Sequence, residues 1–212
     1  MNYYLEITLL PDAETNLGFL WEKVYQQVHI ALVDNKVAEN ESAIAVGFPD
    51  YKQSSFPLGS KLRLFAKDKA ELEKLGIDEW LTRLADYIHV KAIKPVPAGV
   101  TYVCFKRTHV KSAERIDRDM QEKAKRWANK SGQSLAQCLI ELEKTKPVGH
   151  SKLPFIFLHS QETKRRSPNQ SSKFPLFISR VKVNSSQNGT FDSYGLSAKS
   201  NDENKLGCVP QF

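Results

Sequence analysis

Two hydrophobic periods alternate along the first half of the chain. Tyr3 to Leu10 reads as a strand, closed by the turn residues Pro11 and Asp12. From Leu17 to Asp34 the apolar positions Leu17, Leu20, Trp21, Val24, Val28, Ala31 and Leu32 recur at three- and four-residue spacing, which predicts a helix with one buried arc. Ala43 to Phe48 is a compact apolar run closed by Pro49 and Asp50, and Lys61 to Ala66 alternates with period two. Both predict strands. Lys67 to Tyr87 is helical in pattern, with a break expected at Gly76, and Val90 to Lys94 predicts a last strand before Pro95 and Pro97. The order β-α-β-β-α-β is that of a ferredoxin-like domain.

Beyond the proline pair the pattern is less regular. Thr101 to Thr108 is strand-like, Ala113 to Lys130 and Ser134 to Lys144 are helical, and Pro154 to His159 favours a strand. Glu162 to Lys173 is polar and basic enough to predict a loop. A strand from Phe174 to Val183, a hairpin-type turn at Asn188-Gly189 and a strand from Thr190 to Leu196 complete the reading. The whole is α+β. Residues 1–95 are expected to form the ferredoxin-like domain, and residues 96–212 a smaller, irregular α+β domain carrying the helix of about 113–130.

Charge sharpens this division. The 212 residues carry a net charge of +7. Acids outnumber bases before residue 96, and bases outnumber acids two to one after it. Such asymmetry points to a polyanion gripped mainly by the second half. No apolar run is long enough to span a bilayer, and the first residues lack the basic-then-apolar order of a secretion signal. Cys104, Cys138 and Cys208 are far apart and odd in number, so they are expected to be reduced thiols of a cytoplasmic protein. Their spacing offers no zinc pattern, and the five histidines show no metal-ligand spacing. Phosphate-loop, dinucleotide and zinc-protease motifs are absent.

If the chain is a nuclease, the expected chemistry is acid–base cleavage of RNA, which brings its own nucleophile, the 2′-hydroxyl. His29 lies roughly opposite the apolar arc of its helix. Two readings stand: a solvated histidine whose pKa the helix C-terminus raises, or an acid–base group facing a cleft. In the helix 113–130, Ile116, Met120, Ala124 and Trp127 share one side, while Arg115, Arg118, Lys123, Lys125, Arg126 and Lys130 fall on the other. That ridge suits the phosphates of an RNA stem, or else a solvated face laced with Asp119–Lys123 and Glu122–Arg126 pairs. An extended segment at 106–111 would put Arg107, His109 and Lys111 on one face, with Arg107 suited to a bidentate grip on guanine. Phe174 offers a ring for a base to stack on, or a core aromatic opening its strand.

These residues also carry a resemblance. The chain resembles the CRISPR repeat-processing endoribonucleases of the type I-F subgroup over essentially its whole length. The likeness rests on Tyr4-Leu-Glu-Ile with Pro11-Asp12, His29 with Ala31-Leu32-Val33, and Phe48-Pro49-Asp50. It continues through Arg107-X-His-X-Lys-Ser112 with Glu114-Arg115, Leu153-Pro-Phe-X-X-Leu-X-Ser-Gln161, Phe174-X-Leu-Phe-Ile178, Tyr194-Gly-Leu-Ser197 and Gly207-X-Val-Pro-X-Phe212.

The resemblance implies that His29 acts on the 2′-hydroxyl upstream of the scissile phosphate, that Ser160 holds that ribose, and that Tyr194 positions His29. Arg107 would read a guanine near the base of a stem, His109 standing where such enzymes usually have a glutamine. Lys111, Arg115, Arg118, Lys123, Lys125, Arg126 and Gln161 would join the RNA contacts, and Phe174 would stack on a base at the stem boundary. Asp119 and Glu122 depart from the more arginine-rich helix of the family, and Glu162 stands where a second serine is found. No metal or cofactor is implied. The implied partners are the repeat stem-loop RNA of the precursor crRNA and other subunits of a CRISPR surveillance complex, including a backbone subunit at the crRNA 3′ end, with no membrane. Two other classes fit the composition: a non-catalytic hairpin-binding subunit of a ribonucleoprotein, and a basic DNA-binding protein.

Overall fold

The computed structural model describes residues 1–10, 14–111, 113–146, 152–166, 171–185, 187, 189–200, 202 and 205–212. The expected turns at Pro11-Asp12 and Asn188-Gly189 fall wholly or partly outside them, as does Ser112. Two compact units are present: Met1–Thr108 together with Pro154–Phe212, and His109–Leu153.

The first unit holds two antiparallel sheets. Strand β1 (Tyr3–Leu9) is central in the first, paired with β3 (Lys61–Ala66) on one side and with β4 (Ile88–Val90) and β5 (Lys94–Pro95) on the other. The short β2 (Ala45–Gly47) lies outside β3. The order β2-β3-β1-β4 is the ferredoxin-like arrangement that the element sequence predicts. Helix α1 (Leu17–Asp34) opens on Asn16, whose side chain accepts the Phe19 N–H at 2.9 Å. Its buried residues are Leu20, Trp21, Val24, Tyr25, Val28, Ala31 and Leu32, the predicted arc with Tyr25 added and Leu17 only partly buried. Trp21 is fully buried against Phe48 and Tyr25, with Nε1 donating to the Gly59 carbonyl at 2.8 Å.

The predicted helix of 67–87 is three pieces. Helix α2 (Lys69–Leu75) ends on Gly76 at φ 56°, a left-handed conformation that glycine adopts cheaply, and α3 (Ile77–Leu81) and a 3-10 turn (Thr82–Tyr87) follow.

In the second sheet β8 (Lys173–Val183) lies between β7 (Phe155–His159) and β6 (Thr101–Thr108), with β9 (Val209–Gln211) at the β6 edge. Two expectations are corrected here. The predicted loop after Ser160 begins as a helix, α6 (Gln161–Arg166). Ser160 starts it by accepting the Thr163 N–H at 3.1 Å, and Lys164, Arg165 and Arg166 suit the negative end of the helix dipole. The predicted strand 190–196 is instead a bridge between Phe191 and Ser197 enclosing a tight turn.

The cysteine expectation fails as well. Cys104 on β6 and Cys208 beside β9 form a disulfide, and Cys138 is the free cysteine among the described residues. The pairing is non-local, a product of strand register that spacing along the chain does not reveal.

Glu6 illustrates how the sheet face handles charge. It is 5% exposed and receives Arg63 Nε at 2.8 Å and Lys91 Nζ at 2.7 Å. Burial pushes its carboxyl up, but the two hydrogen-bonded cations outweigh it and leave the pKa below the ordinary value. A depressed pKa means stability that is present above the unfolded pKa and lost as pH falls through the folded one. Glu6→Gln is therefore expected to lower the unfolding free energy by about 1–3 kcal/mol at neutral pH. Urea unfolding at successively lower pH should show the two proteins converging once Glu6 is protonated.

The second unit is a helical pair, α4 (Ala113–Ser131) and α5 (Leu135–Glu143). Ile116, Met120 and Ala124 bury against Cys138 and Leu142, as the apolar side predicted, while Trp127 is 37% exposed. Arg115, Arg118, Lys123, Lys125, Arg126 and Lys130 are exposed. No helix among the described residues is long and apolar enough to cross a membrane.

Candidate functional site

His29 sits on the last turns of α1, off the buried arc, yet it is only partly exposed because the turn 192–196 covers it. Its Nδ1 lies 2.9 Å from the Ser193 carbonyl. A carbonyl only accepts, so Nδ1 carries the hydrogen and Nε2 keeps the lone pair. The Tyr194 ring stacks on the imidazole with centroids 4.2 Å apart and planes 9° from parallel. The dipole-raised pKa expected of a solvated histidine is not found. Burial pushes the imidazole below its ordinary 6.5; the Ser193 carbonyl pulls it partly back, and the Arg107 cation lowers it further.

Tyr194 and Ser193 are held from behind. The Tyr25 hydroxyl, buried in α1, donates to the Tyr194 carbonyl at 2.9 Å. Oδ1 of Asp192 accepts the backbone N–H groups of Tyr194 at 2.9 Å and Leu196 at 3.0 Å. Burial raises the Asp192 carboxyl to about 6 in spite of those bonds and of Arg107 nearby. Sequence reading missed Asp192, although an Asp two residues before Tyr194-Gly195 carries the signature of a side chain capping its own turn.

Arg107, at the end of β6, does not project freely. Its guanidinium lies 5.1 Å over the Tyr194 ring and 5.7 Å over the Phe174 ring, within cation–π reach of both. Because β6 stops at Thr108, the expected alternating face of Arg107, His109 and Lys111 does not form. His109 and Lys111 belong to the helical unit, where Lys111 Nζ meets Asp119 at 2.5 Å. Asp119 thus pairs with Lys111 rather than with Lys123, whereas the predicted Glu122–Arg126 pair is present at 4.0 Å.

One cleft of about 660 Å³ brings together five of the predicted site residues. His29, Ser160, Gln161, Phe174 and Tyr194 all line it, together with Ser193, His159, Arg165 and Lys36. The Ser160 hydroxyl is fixed in the cap of α6, taking hydrogen bonds from the Thr163 N–H at 3.1 Å and from its hydroxyl at 3.0 Å. His159 was also missed. Its ring Nε2 lies 3.4 Å from Glu22, which is paired at 2.7 Å with Lys173, and its backbone N–H donates to Gln26 on α1 at 2.8 Å. That last bond ties the end of β7, next to Ser160, to the helix carrying His29. A larger cleft of about 950 Å³, along α1, α2 and α3, contains none of the predicted site residues. Among the described residues no group of three or more His, Cys, Asp or Glu is placed to hold a metal ion.

Chemically, the first cleft offers a neutral imidazole with a free lone pair, a fixed hydroxyl, an aromatic face and walls that mix the cations Lys36 and Arg165 with the acids Glu39 and Glu162. That set suits proton abstraction next to an anionic group.

The chain is 30% identical over 220 residues to the CRISPR-associated endonuclease Cas6/Csy4 of Pseudomonas aeruginosa (strain UCBPP-PA14), with 100% of each chain covered. To the CRISPR-associated endonuclease Cas6/Csy4 of Escherichia coli (strain UTI89 / UPEC) it is 29% identical over 199 residues, covering 93% of this chain and 96% of the relative. The family described as CRISPR-associated protein (Cas_Csy4) matches residues 4–212, and to that family the chain belongs.

Proposed function

We propose that the chain is an endoribonuclease that binds the stem-loop of a CRISPR repeat, cuts the precursor crRNA once at the 3′ base of the stem without a metal ion, and keeps the product hairpin as a subunit of a surveillance complex. Both curated relatives are named endonucleases. The observation that carries the reading is the imidazole of His29, anchored through Nδ1, stacked on Tyr194 and lining one cleft with Ser160.

In this mechanism Ser160 holds the ribose upstream of the scissile phosphate, and Nε2 of His29 removes the proton from its 2′-hydroxyl. The 2′-oxygen attacks phosphorus, the bond from phosphorus to the 5′-oxygen breaks, and that oxygen takes up a proton. The products are a 2′,3′-cyclic phosphate end and a 5′-hydroxyl; a 3′-phosphate end forms only if a water molecule then opens the cyclic ester at its 2′-oxygen. Arg107 reads a guanine at the stem base, and Phe174 stacks on the neighbouring base. Lys111, Arg115, Arg118, Lys123, Lys125 and Arg126 of the helical unit bear on stem phosphates, with His109 and Gln161 as further contacts. The other partners are surveillance-complex subunits, among them a backbone subunit at the crRNA 3′ end.

The test is direct. Repeat hairpins incubated with the protein in chelator should yield one cut with the end groups above. A hairpin with a single 2′-deoxy sugar before the cut should bind equally and stay intact. Cleavage of the deoxy substrate, or an absolute need for added magnesium, overturns the mechanism.

A further inference from the structure

The two contacts that fix His29 come from adjacent residues, Ser193 and Tyr194, and these sit inside the short turn that Asp192 spans. Its Oδ1 receives both the Tyr194 and the Leu196 N–H, and its backbone carbonyl accepts the Gly195 N–H at 2.8 Å. Gly195 has φ 71°, and a Cβ there would stand 2.5 Å from Cγ2 of Val46, so the chain passes too close to β2 for another residue. The Gly195 carbonyl in turn accepts the Val46 N–H at 2.8 Å. One face of the turn is thus bonded to the sheet, and the other presents a carbonyl and a ring to His29.

A carboxylate is a costly acceptor in this place. It is largely buried, and the titratable groups facing it are Tyr25 from α1, Arg107 from β6 and its neighbour Tyr194. No salt bridge to Asp192 is among those found between described residues, so its bonds to backbone N–H groups are what it supplies.

We infer that Asp192 is a positioning residue for His29: through Oδ1 it holds the 193–194 segment that sets the tautomer and the plane of the imidazole. The inference rests on the proposed catalytic role of His29. Asparagine keeps a carbonyl Oδ1 in the same place and can accept both N–H groups; alanine accepts neither.

Cleavage rates of a repeat hairpin, measured from about pH 5 to about pH 8, and hairpin affinity would be compared for wild type, Asp192→Asn, Asp192→Ala and His29→Ala. Asp192→Asn is expected within about threefold of wild type below about pH 6, where both side chains are neutral, and it is the charge-matched reference for the alanine variant at higher pH. Asp192→Ala should cut about 10- to 100-fold more slowly, the cost of a misplaced catalytic group, with affinity nearly unchanged. Its acid limb should also move to lower pH, because the Ser193 carbonyl that raises the His29 pKa is no longer held against Nδ1. Asp192→Asn and Asp192→Ala lose the same charge beside Arg107 and keep Arg107 and Tyr194 against His29, so the shift is read between those two variants. If Asp192→Ala does not fold, Asp192→Ser keeps one acceptor and should cut at an intermediate rate with a partial shift. An alanine variant as fast as wild type, an asparagine variant as slow as alanine, or a slowed variant with an unmoved acid limb each overturns the inference. A His29→Ala protein that still cuts takes down the parent reading with it, so the two failures are told apart.

Discussion

His29→Ala should lose about a hundred- to ten-thousand-fold in cleavage rate while binding the hairpin within a few-fold of wild type, the range typical of removing one acid–base group. Affinity is spared because the cations proposed to hold the stem lie elsewhere in the sequence, and because the imidazole is off the buried arc of α1, so its loss opens no core cavity. The residual rate should lose its acid limb. In wild type the limb reports His29, and burial together with Arg107 places it below the ordinary histidine value. The sign is fixed by role. A base works only when neutral, so the rate climbs as pH rises through that lowered pKa and is level by neutrality. Single-turnover assays over a pH series measure both features. Equal losses of affinity and rate would instead make His29 a structural residue.

Trp21→Ala carries the largest expected stability loss, about 3–5 kcal/mol from removing a large buried side chain. The indole is fully buried, packs on Phe48 and Tyr25, and leaves the Gly59 carbonyl without its 2.8 Å donor when removed. Urea unfolding should show a lower midpoint with little change in slope. Because Tyr25 both packs on Trp21 and holds the Tyr194 carbonyl, cleavage by the folded fraction should also slow, unlike in a core variant remote from α1. An undiminished midpoint would mean that the α1 core tolerates the cavity.

What could be read from the chain follows the reach of each physical signal. Helix α1 and strands β3 and β6 match their expected limits because side-chain periodicity is local and repeats over many residues. Gly76 was legible as a break for the same reason: a left-handed residue is a local demand. Helix α6 was not, since six polar and basic residues have no apolar period, and their helicity rests on the Ser160 cap and the end-charge distribution. The turn at 192–196 was expected as a strand following the hairpin-type signal Asn188-Gly189, whereas the bonds that decide its shape run to α1 and β2. The candidate site divides in the same way. Spacing could put His29 off the core, but only the fold brings it beside residues more than a hundred positions away; nothing local distinguished His159 from an ordinary polar residue, and the turn-capping signature of Asp192 carried no sign that its turn meets His29. The pairing of Cys104 with Cys208 is likewise a matter of register between distant strands.

The helical pair leaves the main unit after Thr108 and the chain re-enters it at Pro154. Thr108 and Phe155 both pair with Phe177, one from each side of β8, so the two ends of the excursion are about two strand spacings, or roughly 10 Å, apart. A linker of about four residues would close that gap. The 45 intervening positions, His109–Leu153, are therefore an excursion that leaves and rejoins the sheet at neighbouring points, so a change in their length need not alter the pairing of β6, β8 and β7.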